Sequence, residues 1–160
     1  VRDIALKINK SHSIDYDIDK FIEIVCMCHD FGKATTYFQD YLDGKYNGRE
    51  KQHGIISALF TYYILPDKYK HLGFLIVKKH HGNIDNGNDE CKKDEVMWKF
   101  NKQIEDMKRN NIDKLNIIYK DYLGDRTIED FFEWISDDDN LKSIKREFIQ
   151  NKYTVEELFL

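Results

Sequence analysis

Three stretches of this chain repeat one arrangement, an apolar helical face with a histidine at one end. Ile18, Phe21, Ile22, Val25 and His29 fall at offsets 0, 3, 4, 7 and 11, one side of a 3.6-residue helix. His53, Ile56, Ser57, Phe60 and Ile64 repeat those offsets with the histidine first. Tyr69, Leu72, Gly73, Ile76 and His80 repeat them with the histidine last, and His81 joins Phe74 and Val77 on the neighbouring stripe. Helices of this kind bury their apolar faces against one another. The question is whether their histidine-bearing ends then aim at one point.

The rest of the chain continues in the same period, with no strand alternation and no internal repeat, so the expected fold class is all-α. Val1, Ile4, Ala5 and Ile8 predict an opening amphipathic helix, and residues 9–17 a polar turn. Gly32 reads as a helix stop just past His29. A short helix is expected from residue 33 or 34 to 42, with Tyr37, Phe38 and Leu42 inward, then a polar loop over 44–51. Gly54, Ser57 and Ala58 are small enough to admit a neighbouring helix closely, and Pro66, the only proline, can open the next helix. Gly82 reads as another stop and residues 83–90 as a loop. Four further helices are marked by Val96, Phe100, Ile104 and Met107, by 117–123 ending at Gly124, by Ile128, Phe131, Phe132 and Ile135, and by Leu141, Ile144, Phe148 and Ile149.

Length matters next, because 160 residues make one domain with a real core. A composition of 41% apolar and 34% charged residues excludes both disorder and a membrane span. No apolar run nears the ~20 residues of a spanning helix, and no signal-peptide pattern opens the chain. Cys26, Cys28 and Cys91 are sparse, and Cys26-Met27-Cys28 is too tight for the usual zinc spacing, so reduced thiols in a cytoplasmic protein are expected. A net charge of −4 supplies no general field for nucleic acid, although a bound metal would add local positive charge that this count omits. The chain starts at Val1 and stops as a new apolar pattern begins at Val155, so both ends are expected to be cuts inside a larger domain.

One histidine on an apolar face is more often a hydrogen-bonded core residue than a ligand. Four at helix ends, His29, His53, His80 and His81, with Asp30 adjacent to the first, change that balance. Burying them unpaired would cost several kcal/mol, and a shared cation removes that cost. Imidazole plus carboxylate suits Mn, Fe, Co, Ni or Zn. Asp30 could bridge two such ions, a pairing that activates water on a phosphodiester. His80 and His81 lie about 100° apart on an ideal helix, but a frayed C-terminus lets both reach one site. Lys33 reads either as an ordinary solvated lysine or as a point charge on a phosphate and proton donor to the leaving group. His12 and His71 read as surface residues. Lys78, Lys79, Lys92 and Lys93 read as a solvated basic face, with a phosphate track the less favoured option.

Taken together, three strings carry a resemblance: Cys-His29-Asp30-Phe-Gly-Lys33-Ala-Thr-Thr-Tyr-Phe38-Gln39, Gln-His53-Gly-Ile-Ile-Ser57-Ala58, and Lys-Lys-His80-His81-Gly82. They resemble the HD superfamily of metal-dependent phosphohydrolases, and more closely the HD nuclease domain of the type I CRISPR-associated helicase-nuclease. The likeness covers residues 19–82, about half the chain. It implies an all-α HD-domain bundle, here a partial one within 1–160, that uses up to two divalent ions to cut single-stranded DNA. The implied partners are a CRISPR helicase domain or subunit and the RNA-guided surveillance complex. His29 and Asp30 would be the HD ligands with Asp30 bridging, His53, His80 and His81 would complete the second metal site, and Lys33 would lie beside the scissile phosphate. Two elements of the family pattern are absent. The histidine that precedes the HD pair is expected upstream of Val1. The late aspartate is expected past Leu160, because Asp125 and Asp137 to Asp139 sit in polar turns. The alternative reading keeps the site and changes the substrate to nucleotides or cyclic dinucleotides. A non-catalytic helical module that uses the histidines as scaffold is the competitor from another class.

Overall fold

A computed structural model describes residues 2–11, 16–80 and 100–150, and within these no strand forms. The helices are α1 (Arg2–Ser11), α2 (Tyr16–Cys28), α3 (Thr36–Leu42), α4 (Gly54–Ile64), α5 (Lys70–Lys78), α6 (Phe100–Asn110), α7 (Ile112–Leu123), α8 (Ile128–Ser136) and α9 (Asp138–Gln150). Two 3-10 turns, Phe31–Ala34 and Arg49–Lys51, link α2 to α3 and α3 to α4. The all-α expectation holds.

The central helix is α4, apolar all round and therefore enclosed: Ile56, Ala58, Leu59, Phe60, Tyr62 and Ile64 are all buried. It pairs most closely with α5, where Gly73 lies so near Leu65 and Thr61 that a side chain there would collide with them. Phe31 inserts from the turn after α2 and stacks on Phe60 with ring centroids 4.0 Å apart. Phe131 from α8 meets both, at 5.6 and 4.9 Å, and Tyr119 from α7 meets Phe60 at 4.8 Å. Each such ring contributes roughly 1.5–3 kcal/mol by leaving water. The residue next to Asp30 is therefore an anchor in the main core. Helix α8 starts on a reciprocal capping box between Thr127 and Asp130, and Gly124 stops α7 with φ +64.

Several local expectations are corrected. Residues 9–11 and 16–17 are helical and not turn, because α1 and α2 extend beyond their apolar stripes. Ile4 is 65% exposed and Leu42 63% exposed, so neither faces a core; α3 is a short helix with no buried residue. Pro66 does not open α5. Its carbonyl accepts from the N–H groups of Tyr69 and Lys70 in a turn, and the helix begins only at Lys70. Helix α7 starts five residues before the expected 117, at Ile112, because Leu115 and Tyr119 extend its buried face N-terminally. Asp138 and Asp139 lie in the first turn of α9, where carboxylates suit the helix dipole. Cys28 is buried and Cys26 half-buried, both as free thiols. The expectations for Gly82, 83–90, Cys91, Lys92, Lys93, Val96 and His12 lie outside the described residues.

His71 is also not at the surface. It is 8% exposed, with Nε2 2.9 Å from Glu147 Oε2 of α9 and its ring edge-on to Phe148 at 5.0 Å. Tyr62 donates to the same Glu147 oxygen at 2.8 Å. Nothing near His71 in the sequence announces this partner, which comes from the far end of the chain.

Candidate metal centre

His29 and Asp30 follow the last turn of α2, His53 is the residue before α4, and His80 lies two residues past the end of α5. Three helix ends thus converge. Asp30 Oδ1 is 3.6 Å from His53 Nε2 and 3.6 Å from His80 Nε2, and those two nitrogens are 3.3 Å apart. Asp30 Oδ2 turns the other way, 3.3 Å from His29 Nε2. The His29 and His80 rings stand edge-on at 5.4 Å. One carboxylate therefore faces histidines with each of its oxygens.

Backbone carbonyls orient two of the imidazoles. His29 Nδ1–H donates to Cys26 O at 2.8 Å and His80 Nδ1–H to Val77 O at 2.5 Å. A carbonyl only accepts, so these contacts place a proton on Nδ1 and turn Nε2 toward Asp30. Phe38 packs edge-on against His53 at 5.0 Å. Lys33 Nζ approaches Asp30 Oδ1 to 2.9 Å and lies 5.4 Å from the Phe38 ring centroid. Burial alone would raise the Asp30 carboxyl; the Lys33 contact and the charges of His29 and His53 outweigh it and hold it below the ordinary carboxylate value.

The donor set fits a divalent cation. Asp30 Oδ1 is shielded from solvent yet accepts no well-aligned hydrogen bond, the Lys33 ion pair notwithstanding, an arrangement that costs energy when nothing else compensates it. Asp30, His53 and His80 offer ligand atoms all within 4.8 Å of one another. A triangle of this size has a centre about 2 Å from each corner, the usual distance from a transition metal to nitrogen or oxygen. His29 Nε2 and Lys33 Nζ stand 3.3 and 2.9 Å from the Asp30 carboxylate, outside the three-residue group, whereas His81 lies outside the described residues.

The motif segments are held from two sides. Gly32 N–H donates to Ser57 Oγ of α4 at 2.9 Å, and Thr35 caps α3 by accepting from Phe38 N–H at 3.2 Å. The second hold was not foreseen from sequence. Gln103 of α6 donates to the carbonyls of Glu50 and Gln52 at 2.7 and 2.8 Å, just ahead of His53. Asp106 accepts from Thr36 N–H at 2.6 Å and from its hydroxyl at 2.5 Å. Asn111 donates to Ala34 O at 2.7 Å. The only sequence signal is that Gln103 sits beside Ile104 on the buried stripe of an otherwise charged helix, which is 1% exposed at this position.

An all-α domain whose helix ends gather a His-Asp pair and two further histidines has the architecture of an HD domain. The comparisons agree. The chain is 34% identical over 73 residues to the CRISPR-associated endonuclease Cas3-HD of Pyrococcus furiosus, covering 42% of this chain and 31% of the relative. It is 38% identical over 69 residues to the CRISPR-associated nuclease/helicase Cas3 of Haloferax volcanii, covering 39% and 7%. Over 127 residues it is 31% identical to the Cas3-HD endonuclease of Methanocaldococcus jannaschii, covering 74% and 45%. The chain resembles the HD nuclease domain of Cas3, and the matches span less than half the length of each of these relatives. No family model matches the chain, and no solved structure matches it.

Proposed function

We propose that this domain is a metal-dependent phosphodiesterase that cleaves single-stranded DNA as the nuclease of a cytoplasmic CRISPR interference system. It would work beside a helicase and an RNA-guided surveillance complex. The observation that carries the reading is Asp30 Oδ1, buried without an aligned donor where His53 and His80 Nε2 converge. The names of the relatives, endonuclease and nuclease/helicase, support the same reaction class.

His29, Asp30, His53 and His80 would hold up to two divalent ions, with His81 carried over from the family resemblance as a further ligand. That Oδ1 and Oδ2 of Asp30 face different histidines supports a bridging role. Divalent ions at such a place supply activation of water and neutralisation of charge on the phosphate. Lys33 Nζ stands beside the carboxylate, positioned to meet a phosphate oxygen as a point charge and to protonate the departing oxygen. The Asp30 side chain is 37% exposed, and a site open to this degree favours a polymer over an enclosed nucleotide.

Closed-circular single-stranded DNA and a panel of nucleotides and cyclic dinucleotides, each with Mn, Ni or Mg, test the reading. Linearisation of the circle, lost in Asp30→Ala, is expected. Turnover of the small substrates alone would transfer the site to the phosphohydrolase alternative. A protein that binds no ion and cleaves nothing would leave only a helical scaffold.

A further inference from the structure

We infer that the outer face of α3 and the turn before α4 form a stacking track on which single-stranded nucleic acid approaches the His-Asp cluster. The inference deepens the nuclease reading and rests on it for the direction of travel. Helix α3 has no buried residue, yet it carries three aromatic rings, Tyr37, Phe38 and Tyr41. Tyr37 and Phe38 are partly buried and Tyr41 is exposed, so the helix presents part of its aromatic surface to solvent.

The rings form a series that starts at the candidate site. His53 meets Phe38 at 5.0 Å, and Phe38 meets Tyr41 at 6.2 Å. Tyr41 is 42% exposed and the adjacent Leu42 63%, so the series ends at an open apolar step. Cations flank the two outer rungs: Lys33 Nζ, ion-paired with Asp30 at 2.9 Å, is 5.4 Å from the Phe38 centroid, and Lys51 Nζ is 3.8 Å from that of Tyr41. Lys51 also donates to the neutral Asn47 Oδ1 at 2.6 Å, which keeps the ammonium at the ring without cancelling its charge. Of the neighbouring carboxylates, Asp43 pairs with Lys45 and Glu50 with Lys102, and Asp40 is exposed beside Tyr41.

Alternating rings and ammonium groups match an unpaired strand, whose bases have flat faces and whose every step carries a phosphate. A duplex hides those faces in its own stack, so it does not suit the track. An overall charge of −4 adds no long-range attraction, and affinity must then come from these local contacts. The track thereby selects an unstacked strand near the site without drawing nucleic acid to the whole surface.

The test is fluorescence anisotropy with a labelled oligothymidylate of about 15 nucleotides in chelator, beside hydrolysis of bis(p-nitrophenyl) phosphate, which has no bases. Tyr41→Ala is expected to weaken oligonucleotide binding at least ~5-fold, with Tyr41→Trp restoring it and bis(p-nitrophenyl) phosphate hydrolysis unchanged. Lys51→Ala should lower the slope of log affinity against log salt by about 0.7. Wild-type affinity in both Tyr41→Ala and Lys51→Ala, or no binding by the wild type, would overturn the track. If instead the strand binds through Tyr41 while no phosphodiester is cleaved with any metal, the nuclease reading fails and the track stands.

Discussion

The backbone N–H of Gly32 and the side-chain oxygen of Ser57 are hydrogen-bonded at 2.9 Å across 25 residues of chain. This bond joins the turn that carries Asp30 to the helix that follows His53. The contact is close because Gly32 has no Cβ: one placed there would lie 2.5 Å from Ile56 Cγ2 and 2.9 Å from both Cβ and O of His53. Gly32 was expected as a helix stop. Its φ is not in the left-handed region, which among the described glycines holds only Gly44 and Gly124, so it serves close approach and not reversal of the chain.

Gly32→Ala should accordingly destabilise the domain by about 1–3 kcal/mol, the range for overpacking. Urea denaturation measures this. Because the clash pushes the turn away from His53, metal affinity is expected to fall as well. Unchanged stability would show that the turn can slide without cost.

Asp30→Ala should abolish bound metal, measured by elemental analysis of the purified protein. The same change removes the Lys33 ion pair, which is partly exposed and small in its own right. A large loss of ion with a small change in Tm is therefore the expected pattern. Retention of the ion would mean that it is held elsewhere.

Gln103→Met removes the donor shared by the carbonyls of Glu50 and Gln52 at similar side-chain length. The expected cost is about 1–3 kcal/mol, reduced by the loss of Gln103 Oε1, which is itself buried without a partner. The segment before His53 then loosens, and metal affinity should drop further than the same loss of stability produced in α8 would cause. A comparison with Ile135→Val checks this.

Phe31→Ala should cost about 3–5 kcal/mol, as for other buried aromatic truncations. The ring is 1% exposed and touches Phe60, Tyr119 and Phe131. Thermal melts report the loss; a cost under a third of that would mean the core closes around the gap.

Acid should weaken the fold through the His71–Glu147 pair. Burial holds His71 below its ordinary 6.5, the carboxylate of Glu147 only partly offsetting it. The unfolded chain therefore binds that proton first, and stability falls as pH drops from about 6.5. Burial would raise the Glu147 carboxyl, but the Tyr62 hydrogen bond and the Lys70 and His71 charges outweigh it and hold it below 4.5. The stability it contributes is present above that value and lost as pH falls through the lower folded one. His71→Gln should flatten the upper part of a Tm-against-pH curve, and Glu147→Gln should flatten the lower part and steepen the upper. A curve level from pH 7 to 5 in the wild type would contradict the assignment.

The period of 3.6 was legible in the apolar residues, and so were the histidines at helix ends, because both follow from which side of a helix each residue occupies. That determined the fold class and marked His29, His53, His80 and His81 as a set, with Asp30 and Lys33 beside the first of them. Sequence spacing could not supply the partners that reach in from afar. Gln103, Asp106 and Asn111 hold the motif backbone from the second half of the chain, and Glu147 buries His71 from its last described helix. Those contacts depend on how α6 and α9 dock, which is a balance of packing shapes and buried polar pairs with no periodic trace in the chain. Local pattern decided which residues could meet; only tertiary packing decided at what distance, and what holds them there.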